Sequence, residues 1–343
     1  MKKILIIILM STFVYSECLG DVNDDYTIDV QDIVIIVNTI INNEEIDYNI
    51  ADINGDGGIN ILDIIGIINI VLSESDACIP KINITYNIHE SLPEGWIDEF
   101  YIIMENLSDL IPAYQNYFEN LTVYAWNSNV EDPYEGIQGG TYIGGSEDGF
   151  IMVLEINEME FEWDSMHRYS VIAHEYFHVY QLSINQPMNE PNGGYNPNTF
   201  SIKWLIEGSA TTFESIYLQN NYNYNYFIND LSHTNISNYI HTNPSIFENY
   251  DSNNLDINYT SSVFMVLALA KELINLGYSE EEAFTMIFRE FMLTGAKNSN
   301  WEDYFVDIFG FSVNEFYDSL QSYPLNLEDI VPSTSLSLTQ IFN

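Results

Sequence analysis

His174-Glu175-Tyr176-Phe177-His178 is the stretch that decides how the second half of the chain folds. The apolar residues before it predict a buried helix. On a helix, positions i and i+4 lie on one face, one turn apart, so the two imidazoles can bind a single Zn²⁺ through one ring nitrogen each. The carboxylate of Glu175, beside the first histidine, can take a proton from a metal-bound water. The stretch therefore predicts a helix that carries a zinc centre.

A second stretch offers the third protein ligand that a zinc centre with one open position needs. It reads Trp204-Leu205-Ile206-Glu207-Gly208-Ser209-Ala210-Thr211-Thr212-Phe213-Glu214. The apolar start and the central acid predict a helix that points Glu207 into a packed site. The small residues Gly208 and Ala210 would let this helix approach a neighbouring helix closely. Glu214 falls on nearly the same face, where its carboxylate can accept a hydrogen bond from the second ring nitrogen of a ligand histidine.

The motifs H-E-x-x-H and W-L-x-E-G-x-A-x-x-x-E together make roughly residues 80 to 322 resemble the gluzincin metallopeptidases, in particular their collagenase-like and M1-type aminopeptidase-like branches. The resemblance implies one catalytic zinc held by His174, His178 and Glu207, with Glu175 as general base and acid. In these families a tyrosine at the start of a similar helix donates a hydrogen bond to the oxyanion, and Tyr259 stands at such a position. His233 and His241 are alternatives for this role, because the thermolysin branch uses a histidine there.

Residues 136–149 depart from the aminopeptidase pattern. The aminopeptidases that the chain resembles have a G-x-M-E-N segment that captures the free amine of the substrate, and no such segment occurs here. The apolar run Phe150–Ile156 predicts a strand that lines the cleft, along which a peptide could pair as an added strand. The glycines before it predict either a flap over the cleft or an ordinary hairpin turn. Endopeptidase activity is the expectation, and aminopeptidase activity remains an alternative because Glu155 could anchor an amine.

An internal repeat with a period of 31 residues lies in the amino-terminal part. Each copy places side-chain oxygens at positions 1, 3, 5, 9 and 12 of a twelve-residue loop, with a backbone carbonyl at position 7, which is the spacing that wraps one Ca²⁺. The candidate ligands are Asp21, Asn23, Asp25, Thr27, Asp29 and Asp32 for the first ion and Asp52, Asn54, Asp56, Gly58, Asn60 and Asp63 for the second. Each loop leads into an apolar helix, predicted at 33–41 and 64–72. The tight turn at position 6 prefers glycine, so Gly57 fits and Tyr26 predicts weaker binding by the first loop.

The aspartate at position 12 and the loop-then-helix order make residues 20–73 resemble a type I dockerin. The resemblance implies a calcium-dependent module that docks onto a cohesin domain of another protein, with recognition around Val30-Gln31 and Ile61-Leu62. A calcium-stabilised spacer without a partner is the alternative. Cys18 and Cys78 bracket the repeat, and in an exported protein this placement predicts one disulfide that joins the ends of the module.

The beginning of the chain and its composition concern location and partners. Met1-Lys2-Lys3 followed by the apolar run Ile4–Val14 has the layout of a secretory signal peptide, predicted for residues 1–16. The protein is therefore expected to be secreted or associated with the cell surface, without a membrane span. Its net charge of −43, from 8 Lys+Arg against 51 Asp+Glu, predicts an acidic surface that discourages binding to nucleic acids and anionic membranes.

The expected fold class is α+β. A small all-α calcium-binding module at 18–78 is followed by a zincin-like peptidase domain at 79–323, with a mixed sheet, an active-site helix and a mainly helical second part, and by a tail of unknown structure at 324–343. Strands are predicted at 82–88 and 121–126, and helices at 95–119 (interrupted at Pro112), 263–276, 279–293 and 312–322. The expected function is an exported zinc endopeptidase that acts on peptides or proteins. The alternatives are an aminopeptidase of the same superfamily and a non-catalytic, calcium-dependent assembly or adhesion protein with an inactive peptidase fold.

Overall fold

A computed structural model describes most of the 343-residue chain. The described residues are 18–23, 28–42, 46, 48–55, 57–72, 80–146, 149–185, 199–249 and 258–342. The chain divides into two compact units, with the boundary between Pro80 and Lys81. Several predictions lie outside the described residues, namely the signal peptide at 1–16, the calcium ligands Asp25, Thr27 and Asp56, and Cys78.

The described part of the first unit is helical. It contains α1 (Val30–Asn42), α2 (Tyr48–Ala51) and α3 (Ile61–Leu72), and its small core consists of Ile36, Ala51, Ile64 and Ile67. Both long helices begin three residues earlier than predicted, because position 9 of each loop caps the helix that follows. The amide of Gln31 donates to Asp29 Oδ1 (2.6 Å), and the amide of Leu62 donates to Asn60 Oδ1 (2.9 Å).

The second unit contains a four-stranded mixed sheet in the order β1-β2-β4-β3. The strands are β1 (Asn83–Ile88), β2 (Asn120–Asn127), β3 (Thr141–Ser146) and β4 (Gly149–Ile156). Strands β1, β2 and β4 run parallel, and β3 is antiparallel to β4. The prediction that Phe150–Ile156 lines the cleft was wrong, because β4 is paired on both sides and cannot accept a further strand. The edge strand is β3, which arises from the glycine-containing stretch that predicted a flap or turn.

Helices form the remainder of the second unit. The segment predicted as helical at 95–119 is helical only in α4 (Glu94–Leu110), because Ile111 precedes a proline and leaves the helical conformation. The helices that follow the sheet are α5 (Glu158–Glu162), α6 (His167–Ile184), α7 (Lys203–Tyr222), α8 (Tyr226–Asn229), α9 (Tyr239–Thr242), α10 (Tyr259–Leu276), α11 (Glu280–Thr285), α12 (Phe291–Leu293), α13 (Trp301–Phe309), α14 (Val313–Ser319) and α15 (Leu338–Phe342). A π-helical segment, Met286–Glu290, joins α11 to α12.

Three long helices, α6, α7 and α10, form the centre of the second unit. Helix α6 packs on α7, and α7 packs along α10. Gly208 lies where α7 and α10 meet, and a Cβ atom there would lie 2.6 Å from the carbonyl oxygen of Ser262. The close approach predicted from the small residues of α7 therefore occurs at Gly208. By length and composition α10 could also cross a membrane, but most of it is buried in the core of this unit.

The carboxyl-terminal segment predicted as a tail belongs to the second unit. Its buried hydrophobic residues are Leu327, Ile330, Leu336, Leu338 and Ile341. Asn220 on α7 fixes it through two hydrogen bonds, donating from Nδ2 to the Leu336 carbonyl (2.8 Å) and accepting at Oδ1 from the Leu338 amide (2.9 Å). These apolar residues follow no helical or strand period, so the sequence pattern did not reveal that they are buried.

Candidate metal centre

Helices α6 and α7 bring the three predicted zinc ligands together. The Nε2 atoms of His174 and His178 lie 3.1 Å apart, one turn apart on α6. Glu207 on α7 places Oε2 3.2 Å from Nε2 of His178 and 3.5 Å from Nε2 of His174. Within the described ranges, this is the one group of three His, Cys, Asp or Glu side chains close enough to share a metal ion.

The distances between these atoms fit a tetrahedral zinc ion. Zinc binds imidazole nitrogen and carboxylate oxygen at about 2.0–2.1 Å, which places neighbouring ligand atoms of a tetrahedron about 3.3 Å apart. The three observed separations, 3.1, 3.2 and 3.5 Å, surround this value. Two nitrogens and one carboxylate oxygen are also the donor types that zinc prefers, and they leave a fourth position for water or substrate.

Polar neighbours orient the two histidines. Gln181 donates from Nε2 to the Ile206 carbonyl, which leaves its Oε1 facing Nδ1 of His178 at 2.8 Å. This orientation suits a proton on Nδ1 of His178, which leaves the lone pair of Nε2 for a metal. Nδ1 of His174 lies 3.5 Å from Thr211 Oγ1 and 3.7 Å from Glu214 Oε2. The predicted Glu214 is thus adjacent to His174, at a distance of charge interaction rather than of a good hydrogen bond.

Lys203 contacts the candidate ligand Glu207 from the side away from the histidines. Its Nζ donates to Oε1 of Glu207 at 3.1 Å, and the lysine side chain is 40% exposed. One carboxylate oxygen is therefore engaged by the lysine, and the other faces the two imidazoles. Sequence reasoning missed both Lys203 and Gln181, although each stands three or four residues from a ligand on the same helix, where side chains meet.

The charges and hydrogen bonds of the cluster keep the Glu207 carboxylate ionised, and burial makes Glu175 more basic. Burial alone would raise the pKa of Glu207, but its contacts with His178 and His174 hold that pKa well below its usual range. Burial alone would lower the pKa of His174, but its contacts with Glu207 and Glu214 raise it well above the ordinary value. Burial raises the pKa of Glu175, whose residue surface is 6% exposed.

A cleft of about 390 Å³ opens at the metal centre. Its walls are the edge strand β3, one face of α6, the start of α7 and the start of α10. Thr141, Tyr142 and Ile143 line it from β3, which pairs with β4 alone among the described strands. Glu175 lines the same cleft beside the two histidines.

Tyr259 also lines this cleft, from the first position of α10. Its ring centre lies 6.2 Å from that of His174, and the residue is 49% exposed. Burial raises the pKa of its phenol, so the hydroxyl stays protonated and able to donate. The alternatives His233 and His241 are not among the lining residues, and Nε2 of His241 instead lies 3.0 Å from the Tyr323 carbonyl oxygen.

The two predicted calcium loops of the first unit have matching local structure where they are described. The carboxylate of Asp32 accepts from the amides of Val22 (2.9 Å) and Asp29 (2.8 Å), and the side chain is fully buried. The carboxylate of Asp63, equally buried, accepts from the amides of Asn54 (3.3 Å) and Asn60 (2.7 Å).

Other features of these loops also fit a bound calcium ion. Gly57 at position 6 has a φ of +82°, as the tight turn requires. Asp21 is buried in the same loop as Asp32, and carboxylates so placed form the donor set that Ca²⁺ prefers. Cys18, just before the first loop, is disulfide-bonded, and the chain has two cysteines.

Comparison with known proteins identifies the amino-terminal module. Residues 19–72 match the model of the dockerin type I domain family. The chain therefore carries a type I dockerin domain, a calcium-binding module that docks onto cohesin domains, and proteins with such domains are typically extracellular or cell-surface components of cellulosomes. The match ends before the second unit begins. No curated protein matches the chain.

Proposed function

We propose that the second unit is a zinc-dependent endopeptidase and that the dockerin domain attaches it to a cohesin-bearing assembly. The observation that carries the proposal is the convergence of His174, His178 and Glu207, whose ligand atoms lie 3.1–3.5 Å apart in the cleft that Glu175 lines. A binding protein that had lost catalysis would not need Glu175, because this residue is not part of the ligand set.

The residues of the chain divide the work of peptide hydrolysis. A zinc ion, when bound by the three ligands, supplies Lewis-acid polarisation of the scissile carbonyl and acidifies a water molecule. Glu175 accepts the proton of the attacking water and passes it to the leaving nitrogen, and its burial makes the carboxylate a stronger base. The hydroxyl of Tyr259 donates to the oxyanion, a role worth about 3 kcal/mol in the transition state.

The lining of the cleft favours internal peptide bonds over amino-terminal ones. Among the described strands β3 pairs with β4 alone, and its other edge offers backbone groups with which an extended peptide can pair. Among the described lining residues, Glu175 and Glu207 are the only acids, and both have roles at the metal centre. Glu155, the earlier candidate for an amine anchor, lies beside Gly139 and does not line the cleft. The described lining residues thus leave no further carboxylate to bind a free α-amine.

The test combines zinc content with cleavage of a diverse peptide pool by the whole chain, read by mass spectrometry. We expect the wild type to bind one zinc in the second unit and to cut internal bonds of peptides with blocked or free amino termini. Glu175→Gln should keep the zinc and lose at least about a hundredfold in rate. Glu162→Gln is the matched control, because Glu162 is an exposed acid on the neighbouring helix α5.

The outcomes separate the candidate functions. Cuts confined to free amino termini would replace the endopeptidase by an aminopeptidase. Bound zinc without any cut that depends on Glu175 would refute hydrolysis and favour the non-catalytic assembly protein. Absence of zinc from the purified whole chain, even after zinc is added in excess, would refute the metal centre itself.

A further inference from the structure

The cleft extends beyond the metal centre along α6. After His178 its lining continues through Gln181, Leu182 and Asn185, which follow one face of that helix. With a rise of 1.5 Å per residue, Leu182 lies about 6 Å further along the axis than His178. That distance is suited to the side chain of a residue flanking the bond under attack.

The walls at this end of the cleft are mostly apolar and come from separate parts of the second unit. Leu182 belongs to α6, Ile206 to α7 and Met292 to α12, whereas Phe200 precedes α7. We name the space between these four side chains the apolar pocket. It contains aliphatic, aromatic and thioether surface, which loses contact with water when an apolar side chain enters.

The apolar pocket is built from side chains that are fixed by packing. Phe200 packs edge-on against Phe291, with ring centres 5.3 Å apart, and Met292 is 1% exposed. The π-helical segment Met286–Glu290 stands directly before α12, and such segments rotate the residues that follow relative to a regular helix. Asn185 Nδ2 donates to the Ala296 carbonyl at 3.4 Å, which joins the end of α6 to the chain after α12.

The described lining of the cleft offers no free acid to a basic substrate side chain. The chain has a net charge of −43, with 8 Lys+Arg, yet Lys203 is the one Lys or Arg among the described residues that line the cleft. The two acids of the lining belong to the metal centre. A basic substrate side chain placed in the apolar pocket would therefore lose its water without gaining a carboxylate partner from the described lining.

We propose that Leu182, Phe200, Ile206 and Met292 select a substrate with an apolar side chain beside the scissile bond and reject a basic one, which deepens the proposed endopeptidase function and rests on it. The selection comes from burial of apolar area, so a leucine-like side chain is preferred over alanine, and lysine is disfavoured in spite of the acidic surface of the protein.

Binding of peptide hydroxamates to the zinc-loaded full chain tests the proposal without requiring turnover. Three ligands that differ only in the side chain beside the hydroxamate, isobutyl, methyl and aminobutyl, are compared by calorimetry. The isobutyl ligand should bind about ten- to fiftyfold more tightly than the methyl ligand, since it buries three more carbon atoms. The aminobutyl ligand should bind no more tightly than the methyl ligand.

Two variants and one control assign the preference to the apolar pocket. Leu182→Ala and Met292→Ala should each reduce the isobutyl preference severalfold. If the variant at the buried Met292 does not fold, the variant at the half-buried Leu182 still tests the proposal. Leu293→Ala should leave the preference unchanged, because Leu293 is adjacent on α12 but 44% exposed and outside the cleft.

The failure of this proposal is distinguishable from the failure of the proposed function. Equal binding of the isobutyl and methyl ligands to the zinc-loaded protein, or tighter binding of the aminobutyl ligand, would overturn the apolar pocket whether or not peptides are cut. An isobutyl preference that Leu182→Ala reduces, in a protein that cuts no peptide, would support the pocket while refuting hydrolysis.

Discussion

Replacing Gly208 by alanine tests whether the close approach of α7 and α10 maintains the candidate metal centre. The added Cβ would lie 2.6 Å from the carbonyl oxygen of Ser262 and 2.8 Å from its carbonyl carbon. Both are backbone atoms that cannot rotate away, so one helix must move by about 0.8 Å to restore ordinary contact. Overpacking against fixed atoms lowers the free energy of unfolding by up to about 3 kcal/mol, and the better helix propensity of alanine raises it by about 1 kcal/mol. We expect a net loss of about 2 kcal/mol.

Gly95→Ala is the matched control. Gly95 lies near the start of α4, and no atom lies within 4 Å of the position that its Cβ would take. Its replacement should therefore stabilise the protein by about 0.5–1 kcal/mol. Urea unfolding monitored by tryptophan fluorescence isolates the relevant transition, because all five tryptophans lie in the second unit.

The site should respond together with the stability. Glu207 lies beside Gly208 on α7, and Tyr259 begins α10, so a shift of either helix displaces a residue of the site. Gly208→Ala should therefore also weaken zinc binding, and Gly95→Ala should leave it unchanged. Equal stability and equal zinc affinity of the two variants would refute the described contact between α7 and α10.

Three further predictions concern calcium, pH and metal removal. Tyr26→Gly should raise the calcium affinity of the first loop towards that of the second, which has Gly57 at the same position, as measured by calorimetry; an unchanged affinity would show that position 6 is not limiting. Burial alone would lower the pKa of His167, but its hydrogen bond with Glu160 raises that pKa above the ordinary value. The protonated His167 therefore stabilises the fold fully below about pH 6.5, and this stabilisation is lost as the pH rises through the pKa of the folded state. His167→Gln should therefore lower the free energy of unfolding by less than about 1 kcal/mol at pH 5.5 and by nothing at pH 9, since this pair is partly exposed. A chelator selective for calcium should lower the melting temperature of the first unit and leave the tryptophan-monitored transition of the second unit unchanged. Phenanthroline should lower the tryptophan-monitored transition and leave the melting temperature of the first unit unchanged. A single joint transition would contradict separate unfolding of the two units.

The proximity of His174 and His178 was predictable because it is encoded locally. Two histidines four residues apart on a helix meet whatever the rest of the fold does, and the third ligand stands on the next long helix. The calcium loops are likewise contained in twelve consecutive residues. The histidine pair and the calcium loops needed only the spacing of residues, whereas Glu207 came from the second motif and the family resemblance, and its approach to the histidines depends on the packing of α6 on α7.

Features that depend on distant partners were not predictable in the same way. The strand β3 contains adjacent glycines and resembles a turn in isolation, and it is a strand because β4 pairs with it. Phe200 and Met292 are far apart in sequence and share a wall only after α12 has packed against the end of α6. The burial of Leu338 depends on Asn220, more than a hundred residues earlier.

Under the proposed function, docking and catalysis belong to separate units, and this has a consequence for the neighbours of the protein. An enzyme attached to an assembly meets the other subunits at an effective concentration of about a millimolar. At that concentration even poor cleavage sites in a neighbouring subunit, or in the scaffold itself, are sampled for as long as the complex lasts. Under the proposed function, the narrow choice of side chain at the apolar pocket would serve chiefly to spare the scaffold on which the enzyme is mounted.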